Sequence, residues 1–221
     1  MTTTKFKSIC VIGLGYVGLP TAAIFASNNL KVLGVDTNEE VVSLINKGRT
    51  HIIEPDLDKL VKKNVLAGNL KATQRPEPAD AFIIAVPTPF LNNHKPDISY
   101  VKAAITSIAP IIEKGNLVII ESTCPVGTTE TSSQWLAELR EDLVFPHFDE
   151  NLADIYISHS PERVLPGNIL AELVSNDRVI GGVNNKSTKK AMSFYSQFVK
   201  GKLHSTNSRT RSHPTTRLSS A

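Results

Sequence analysis

The segment VIGLGYVG sets Gly13, Gly15 and Gly18 in a G-x-G-x-x-G spacing, directly after a short β-branched run and at the opening of a stretch with helical periodicity. Each glycine meets a separate demand: a tight turn at Gly13, close approach of the backbone to a diphosphate at Gly15, and close helix–strand packing at Gly18. The helix that starts there presents unpaired N–H groups and a positive dipole end, worth about 0.3 to 1 kcal/mol to a nearby anion and up to ~2 kcal/mol when partly buried. Such a segment can hold phosphate.

A lone glycine pattern is common, and the run KVLGVD gives it context, because Asp36 ends the second strand near the expected spacing of ~20 residues downstream. A carboxylate there can accept both hydroxyls of a ribose in charge-assisted bonds and repels a 2′-phosphate, which favours NAD over NADP. The alternative is that Asp36 only caps the following turn.

Three further strand ends carry polar loops. After AFIIAV, Pro87 and Pro89 fix an extended path that leaves the Thr88 hydroxyl and backbone free to face a cofactor, or else make a stiff loop with no ligand. After LVII, the turn from Glu121 to Thr129 delivers a threonine near the next helix, where Thr128 or Thr129 can also serve as an N-cap. After IYIS, Glu162 and Arg163 stand side by side in a proline-bracketed loop. A guanidinium can grip phosphate or sugar oxygens with its planar fork, and a carboxylate can act on a water or hydroxyl proton; a surface ion pair without a ligand is the alternative. His159 reads as a loop or core histidine and Cys10 as a small buried hydrophobe of the first strand.

These residues need elements to carry them. Short apolar runs at Ser8–Ile12, Lys31–Val35, Ala81–Val86, Leu117–Ile120, Ile155–Ser158 and Arg178–Ile180 read as strands. Helical spacing is expected over Thr21–Ser27, Glu39–Lys47, Leu57–Leu66, Tyr100–Glu113, Thr129–Arg140 and Lys186–Val199, with Gly48, Gly68 and Gly115 as stops. Strands alternating with helices predict an α/β fold of Rossmann type, a doubly wound parallel sheet with helices on both faces. In such a sheet ligands sit beyond the carboxyl ends of the strands, where the polar loops fall.

A chain of 221 residues can bury roughly 70% of its unfolded surface. With 41% hydrophobic and 20% charged residues it belongs to neither the disordered nor the membrane class. A net charge of +3, drawn largely from basic residues near the C-terminus, gives no clustered face for nucleic acid. No run approaches the roughly 18 to 20 apolar residues that cross a bilayer, so no membrane association is expected. Cys10 and Cys124 are too few for a disulfide framework and no secretory segment opens the chain, which together predict a cytoplasmic protein.

In order along residues 8–210, VIGLGYVGLPTAA, GVDTNEE, AVPTPF, ESTCPVGTTE and SPERVLPG resemble the UDP-glucose/GDP-mannose dehydrogenase family. Within it, SPERVLPG, with Arg163 after the glutamate, and NDRVIGG are most similar to members that convert UDP-N-acetyl-D-mannosamine to its uronate; UDP-glucose 6-dehydrogenase-like specificity is the alternative. The resemblance implies that Gly13, Gly15, Tyr16, Val17, Gly18, Asp36, Thr88 and Thr129 surround NAD. It places Arg163 and Val164 on the UDP-sugar and Glu162 near a hydrolytic step, and it implies a homodimer. The family's reaction turns the sugar C6 alcohol into a carboxylate by two hydride transfers to NAD. A cysteine thiol captures the intermediate aldehyde, and the resulting thioester is hydrolysed.

In the family that cysteine lies in a second nucleotide-binding domain, and a lysine and an asparagine lie on the long helix joining the two. None of these motifs occurs here, and Cys124 stands in a different context. Residues 1–210 are therefore expected to form the NAD-binding domain and 211–221 (RSHPTTRLSSA) a disordered tail, TNSRT at 206–210 still resembling the entrance to the joining helix. A frameshift or premature stop would produce such an end. The expectation is an enzyme by descent with incomplete chemistry or, alternatively, a non-catalytic NAD-binding fragment, with an apolar face left open to association.

Overall fold

The computed structural model describes residues 6–91, 95–149 and 151–207. The tail expected at 211–221 lies outside them, as do residues 208–210. Strands β1 (Ser8–Ile12), β2 (Lys31–Val35), β3 (Leu70–Thr73), β4 (Ala81–Ile84), β5 (Leu117–Ile120), β6 (Tyr156–His159), β7 (Arg178–Gly182) and β8 (Leu203–Asn207) form one sheet in the order β3-β2-β1-β4-β5-β6-β7-β8. From β3 to β6 every pairing is parallel and follows the Rossmann order.

Helices cover both faces because the strands are apolar on both. In β1, Ile9 and Val11 point into one buried cluster while Cys10 and Ile12 point into the other. The same alternation runs through β4, with Ala81 and Ile83 opposed to Phe82 and Ile84, and through β5, with Leu117 and Ile119 opposed to Val118 and Ile120. On the first face pack α1 (Gly18–Ser27), α3 (Leu57–Leu66), α6 (Ile169–Ser175) and α7 (Asn185–Tyr195), with Ile45 of α2 (Glu39–Asn46). On the second face pack α4 (Ser99–Ile108) and α5 (Thr128–Leu139).

Several elements differ from the sequence expectation. β3 and α6 are additional, and each is short: LKAT is half-exposed and ILAELVS makes two turns, too little for either period to register. Thr206 and Asn207, read as the entrance to a helix, belong instead to β8, a largely exposed strand paired with β7.

β7 runs antiparallel to β6, with Ser158 opposite Gly182 and His159 opposite Gly181. The reversal places Arg178, the first residue of β7, beyond the carboxyl end of β6, among the loops that follow β5 and β6. A parallel β7 would leave it at the other edge of the sheet.

The first-face core closes on an aromatic group. Phe194 of α7 lies edge-on to Phe6, Phe25, Tyr195 and Phe198, with ring centroids between 5.0 and 5.3 Å. Replacing Phe194 with Ala is expected to destabilise the chain by about 3–5 kcal/mol, seen as a lower urea midpoint with an unchanged slope.

Candidate functional site

The strand order reverses between β1 and β4, and the crevice at their carboxyl ends opens into a cavity of about 730 Å³, a size typical of small-molecule sites. Its walls come from the glycine loop after β1, Asp36 after β2, Thr88 after β4, Glu121, Ser122 and Thr123 after β5, and Glu162 after β6.

The glycine loop has the geometry its spacing implies. Gly13 has φ +94°, its N–H donates to the Val35 carbonyl at 2.8 Å, and a Cβ there would lie 2.7 Å from the Ala85 carbonyl oxygen. A Cβ on Gly18 would collide with the Gly13 carbonyl oxygen, so β1 and α1 can approach this closely only with glycine. A Cβ on Gly15 would meet nothing within 4 Å, so the chain lies open at that point. Helix α1 has Val17 at its N-cap position, with no side-chain cap and no acidic residue in its first turn. An anion fits that start, and Tyr16 stands exposed on the rim.

Asp36 does more than cap a turn. Its Oδ1 accepts the Asn38 N–H at 3.0 Å, and its Oδ2 accepts the Leu14 N–H at 3.0 Å, tying the end of β2 to the glycine loop. A carboxylate has about four lone-pair directions, so two remain for hydroxyl donors. Thr88 lines the cavity, but its hydroxyl proton goes to the Thr123 carbonyl at 2.7 Å, joining the loops after β4 and β5 and leaving the oxygen as an acceptor. Thr129 is buried in the first turn of α5 and is not among the cavity-lining residues. The cap position of α5 is Gly127, so neither Thr128 nor Thr129 acts as the N-cap.

On the far side the sequence reading missed the principal feature. Glu162 does not pair with Arg163 at the surface. Its carboxylate turns inward, with Oε2 2.6 Å from Nη2 of Arg178, and both side chains are almost fully buried, at 5% and 6% exposure. Glu162 Oε1 takes only the backbone N–H of Arg163, at 2.9 Å, while the Arg163 side chain is exposed. Glu121 completes the cluster: its Oε1 accepts from the Tyr195 hydroxyl at 2.7 Å and Arg178 Nη1 at 3.4 Å, and its Oε2 accepts from Thr21 at 3.4 Å. The Arg178 guanidinium also lies over the Tyr195 ring, 4.5 Å from its centroid.

Two carboxyls thus face one guanidinium away from water. Burial raises both of them, Glu162 to about 7, against the lowering pull of Arg178. The sequence signal that could have found the group is a charged residue abutting an apolar strand, Glu121 after LVII and Arg178 before VIGG.

Glu54, also unremarked in the sequence, fixes the other end of the Glu162 loop. Its two carboxylate oxygens accept the N–H groups of Gly167 and Ile169, each at 2.7 Å. Val164 turns its side chain partly into the first-face core. His159 is half-buried at the end of β6, with Nε2 3.1 Å from the Ser122 carbonyl, and burial lowers its pKa. Burial pushes both thiols, Cys10 and Cys124, up to about 12, so neither is a ready nucleophile. Among the described residues no group of three or more His, Cys, Asp or Glu side chains is placed to hold a metal, and no helix is long and apolar enough to cross a membrane.

Residues 7–199 match the model of the UDP-glucose/GDP-mannose dehydrogenase family, NAD binding domain. The chain is 58% identical over 207 residues to a UDP-N-acetyl-D-mannosamine dehydrogenase of Campylobacter jejuni, covering 93% of this chain and 51% of that protein. It is 55% identical over 205 residues to an NDP-N-acetyl-D-galactosaminuronic acid dehydrogenase of Ralstonia nicotianae, covering 93% of this chain and 48% of that one. Among solved structures, the UDP-N-acetyl-mannosamine dehydrogenase of Staphylococcus aureus superposes with a TM-score of 0.85 at 40% identity, over 92% of this chain and 48% of that chain. The chain spans about half the length of the curated relatives it matches.

The raised Glu162 carboxyl has a consequence for stability. The fold favours its protonated form, so its contribution is fully present below the ordinary carboxyl range and is lost as pH rises through about 7. Glu162→Gln, which keeps the neutral shape, is expected to raise the melting temperature relative to the parent more at about pH 8 than at about pH 5. Thermal melts of both proteins at the two values check this, and an equal difference would mean that Glu162 is ionised throughout.

Proposed function

Because the chain belongs to the UDP-glucose/GDP-mannose dehydrogenase family, we propose that it supplies the cofactor half of a nucleotide-sugar 6-dehydrogenase that converts UDP-N-acetyl-D-mannosamine to its uronate. The observation that carries this reading is the cavity at the β1–β4 switch point, with Asp36 at one end, the open face of Gly15 between, and Glu162 at the other. The identity of 58% to a relative named for that substrate supports the choice of sugar. A second reading, an N-acetylgalactosamine-type nucleotide sugar, is favoured by the 55% identity to the Ralstonia protein.

Bound NAD supplies the hydride acceptor. The backbone at Gly13, Gly15 and Gly18 and the start of α1, with Tyr16 and Val17, hold its diphosphate, and Asp36 takes the adenosine ribose hydroxyls through its free lone pairs. Thr88 offers its hydroxyl oxygen as an acceptor, and Thr129 acts from behind by shaping the start of α5. Arg163 presents its guanidinium outward to the nucleotide sugar, with Val164 packed beneath the loop. Glu162 takes a proton from water in the hydrolytic step, a task for which a carboxyl that titrates near neutrality is suited.

We assign residues 1–210 to this cofactor-binding unit. With Cys10 buried, Cys124 partly so and both thiols held protonated, the unit holds NAD without completing the oxidation.

Asp36→Asn is expected to weaken NAD binding about 10–100-fold, from charge-assisted bonds worth ~1.5–3 kcal/mol, and to narrow the preference over NADP; calorimetric titration with both coenzymes reads this. Titrating NAD into the 221-residue chain with UDP-N-acetyl-D-mannosamine present is expected to give saturable binding, no uronate and at most one NADH per sugar. Two NADH per sugar, with uronate formed, would overturn the incomplete-chemistry reading, and absence of NAD binding would overturn the cavity assignment.

A further inference from the structure

The cavity crosses the sheet in strand order, from Asp36 after β2, over the glycine loop after β1 and Thr88 after β4, to Glu121 after β5 and Glu162 after β6. A dinucleotide with its adenosine ribose at Asp36 and its diphosphate over Gly15, the placement proposed above, has its nicotinamide end toward Glu121 and Glu162. That ring carries a positive charge when oxidised and none when reduced.

The group at that end is unbalanced. Arg178 from β7 is the buried cation, and it faces two carboxyls, Glu121 from the loop after β5 and Glu162 from the loop after β6. Around them stand Tyr195 from α7 with the buried Ser160 hydroxyl beside it, Thr21 from α1, the Leu173 carbonyl that accepts from Arg178 at 3.3 Å, Arg163 in the Glu162 loop with its side chain in solvent, and His159 at the end of β6, turned to the Ser122 carbonyl. With both carboxyls ionised the cluster is net negative; with one proton it is neutral. A neutral cluster is favoured where water is excluded, and a cation arriving beside it reverses that preference.

We infer that Glu121 and Glu162, with Arg178 between them, form a charge-matching site that selects oxidised over reduced coenzyme by giving up one shared proton when the cationic ring enters. The proton passes to solvent, no electrons move, and no bond other than the carboxyl O–H is broken. The two carboxyls titrate as a pair, and the proton belongs to the pair. Burial, which raises both groups and brings Glu162 to about 7, puts this exchange in the range where it can be measured. Arg178 is a positioning residue here, holding both carboxyls without touching the coenzyme.

The test is calorimetric titration of the whole chain with NAD and, separately, NADH between about pH 6 and pH 8, each in two buffers of different ionisation enthalpy. NAD binding is expected to release a fraction of a proton near neutrality. Its affinity should rise with pH, by about tenfold for each unit by which the ring lowers the pair's pKa, while NADH affinity stays level. In Glu162→Gln the NAD profile should flatten; should that variant not fold, Glu121→Gln and the parent protein's own NAD–NADH contrast give the same reading. Parallel pH profiles and equal proton exchange for the two coenzymes would overturn the inference and leave the cofactor cavity standing. Binding of neither coenzyme at any pH would overturn the cavity assignment and this inference with it.

Discussion

A guanidinium withdrawn from water must be matched by anions and acceptors close by, because an unpaired charge in the interior costs several kcal/mol. Arg178 imposes that demand on half of this fold. To meet it, Glu121 is held at the end of β5 by Tyr195 of α7 and Thr21 of α1, and Glu162 is drawn in from a loop that would otherwise face solvent. The reversed direction of β7 serves the same end, since only that direction puts its first residue among the loops at the carboxyl edge of the sheet. Five elements therefore converge on one cation, and the floor of the cavity is ionic where the two core clusters are apolar.

Neighbouring residues of the Glu162 loop are divided between inside and outside. Glu162 faces the interior and shares Arg178 there with Glu121, whereas Arg163 has only its backbone N–H engaged with that carboxylate and keeps its side chain in solvent. The pairing suggested by adjacency in sequence is thus absent. The exposed fork stays available for an oxyanion, and the buried carboxyl is fixed in position by contacts that do not involve it.

The parts of this arrangement legible in the sequence are those governed by short-range rules. β1, β2, β4 and β5 are apolar enough to stand out, α3 has the expected bounds, and the glycine loop with Asp36 carries its geometry in its spacing. Elements whose residues are polar or few, such as β8 and α6, give no periodic signal, and Thr206 and Asn207 take their strand conformation from β7 rather than from their own preference. The Arg178–Glu121 pair is separated by 57 residues. No local pattern announces such a partner, and the sequence offered Arg163 as the nearer and misleading one.

Glu54 adds a dimension of time. It grips the backbone at Gly167 and Ile169 from 113 and 115 residues away, whereas the Asp36–Leu14 contact spans only 22. Contacts between distant parts of a chain form late, since the intervening segment must first be confined. The two ends of the cavity are thus expected to be completed in order during synthesis: the residues of the ribose end emerge with β1 and β2, those of the acidic end only with β7 and α7, which carry Arg178 and Tyr195. A nascent chain would then hold a cradle without its proton-bearing wall.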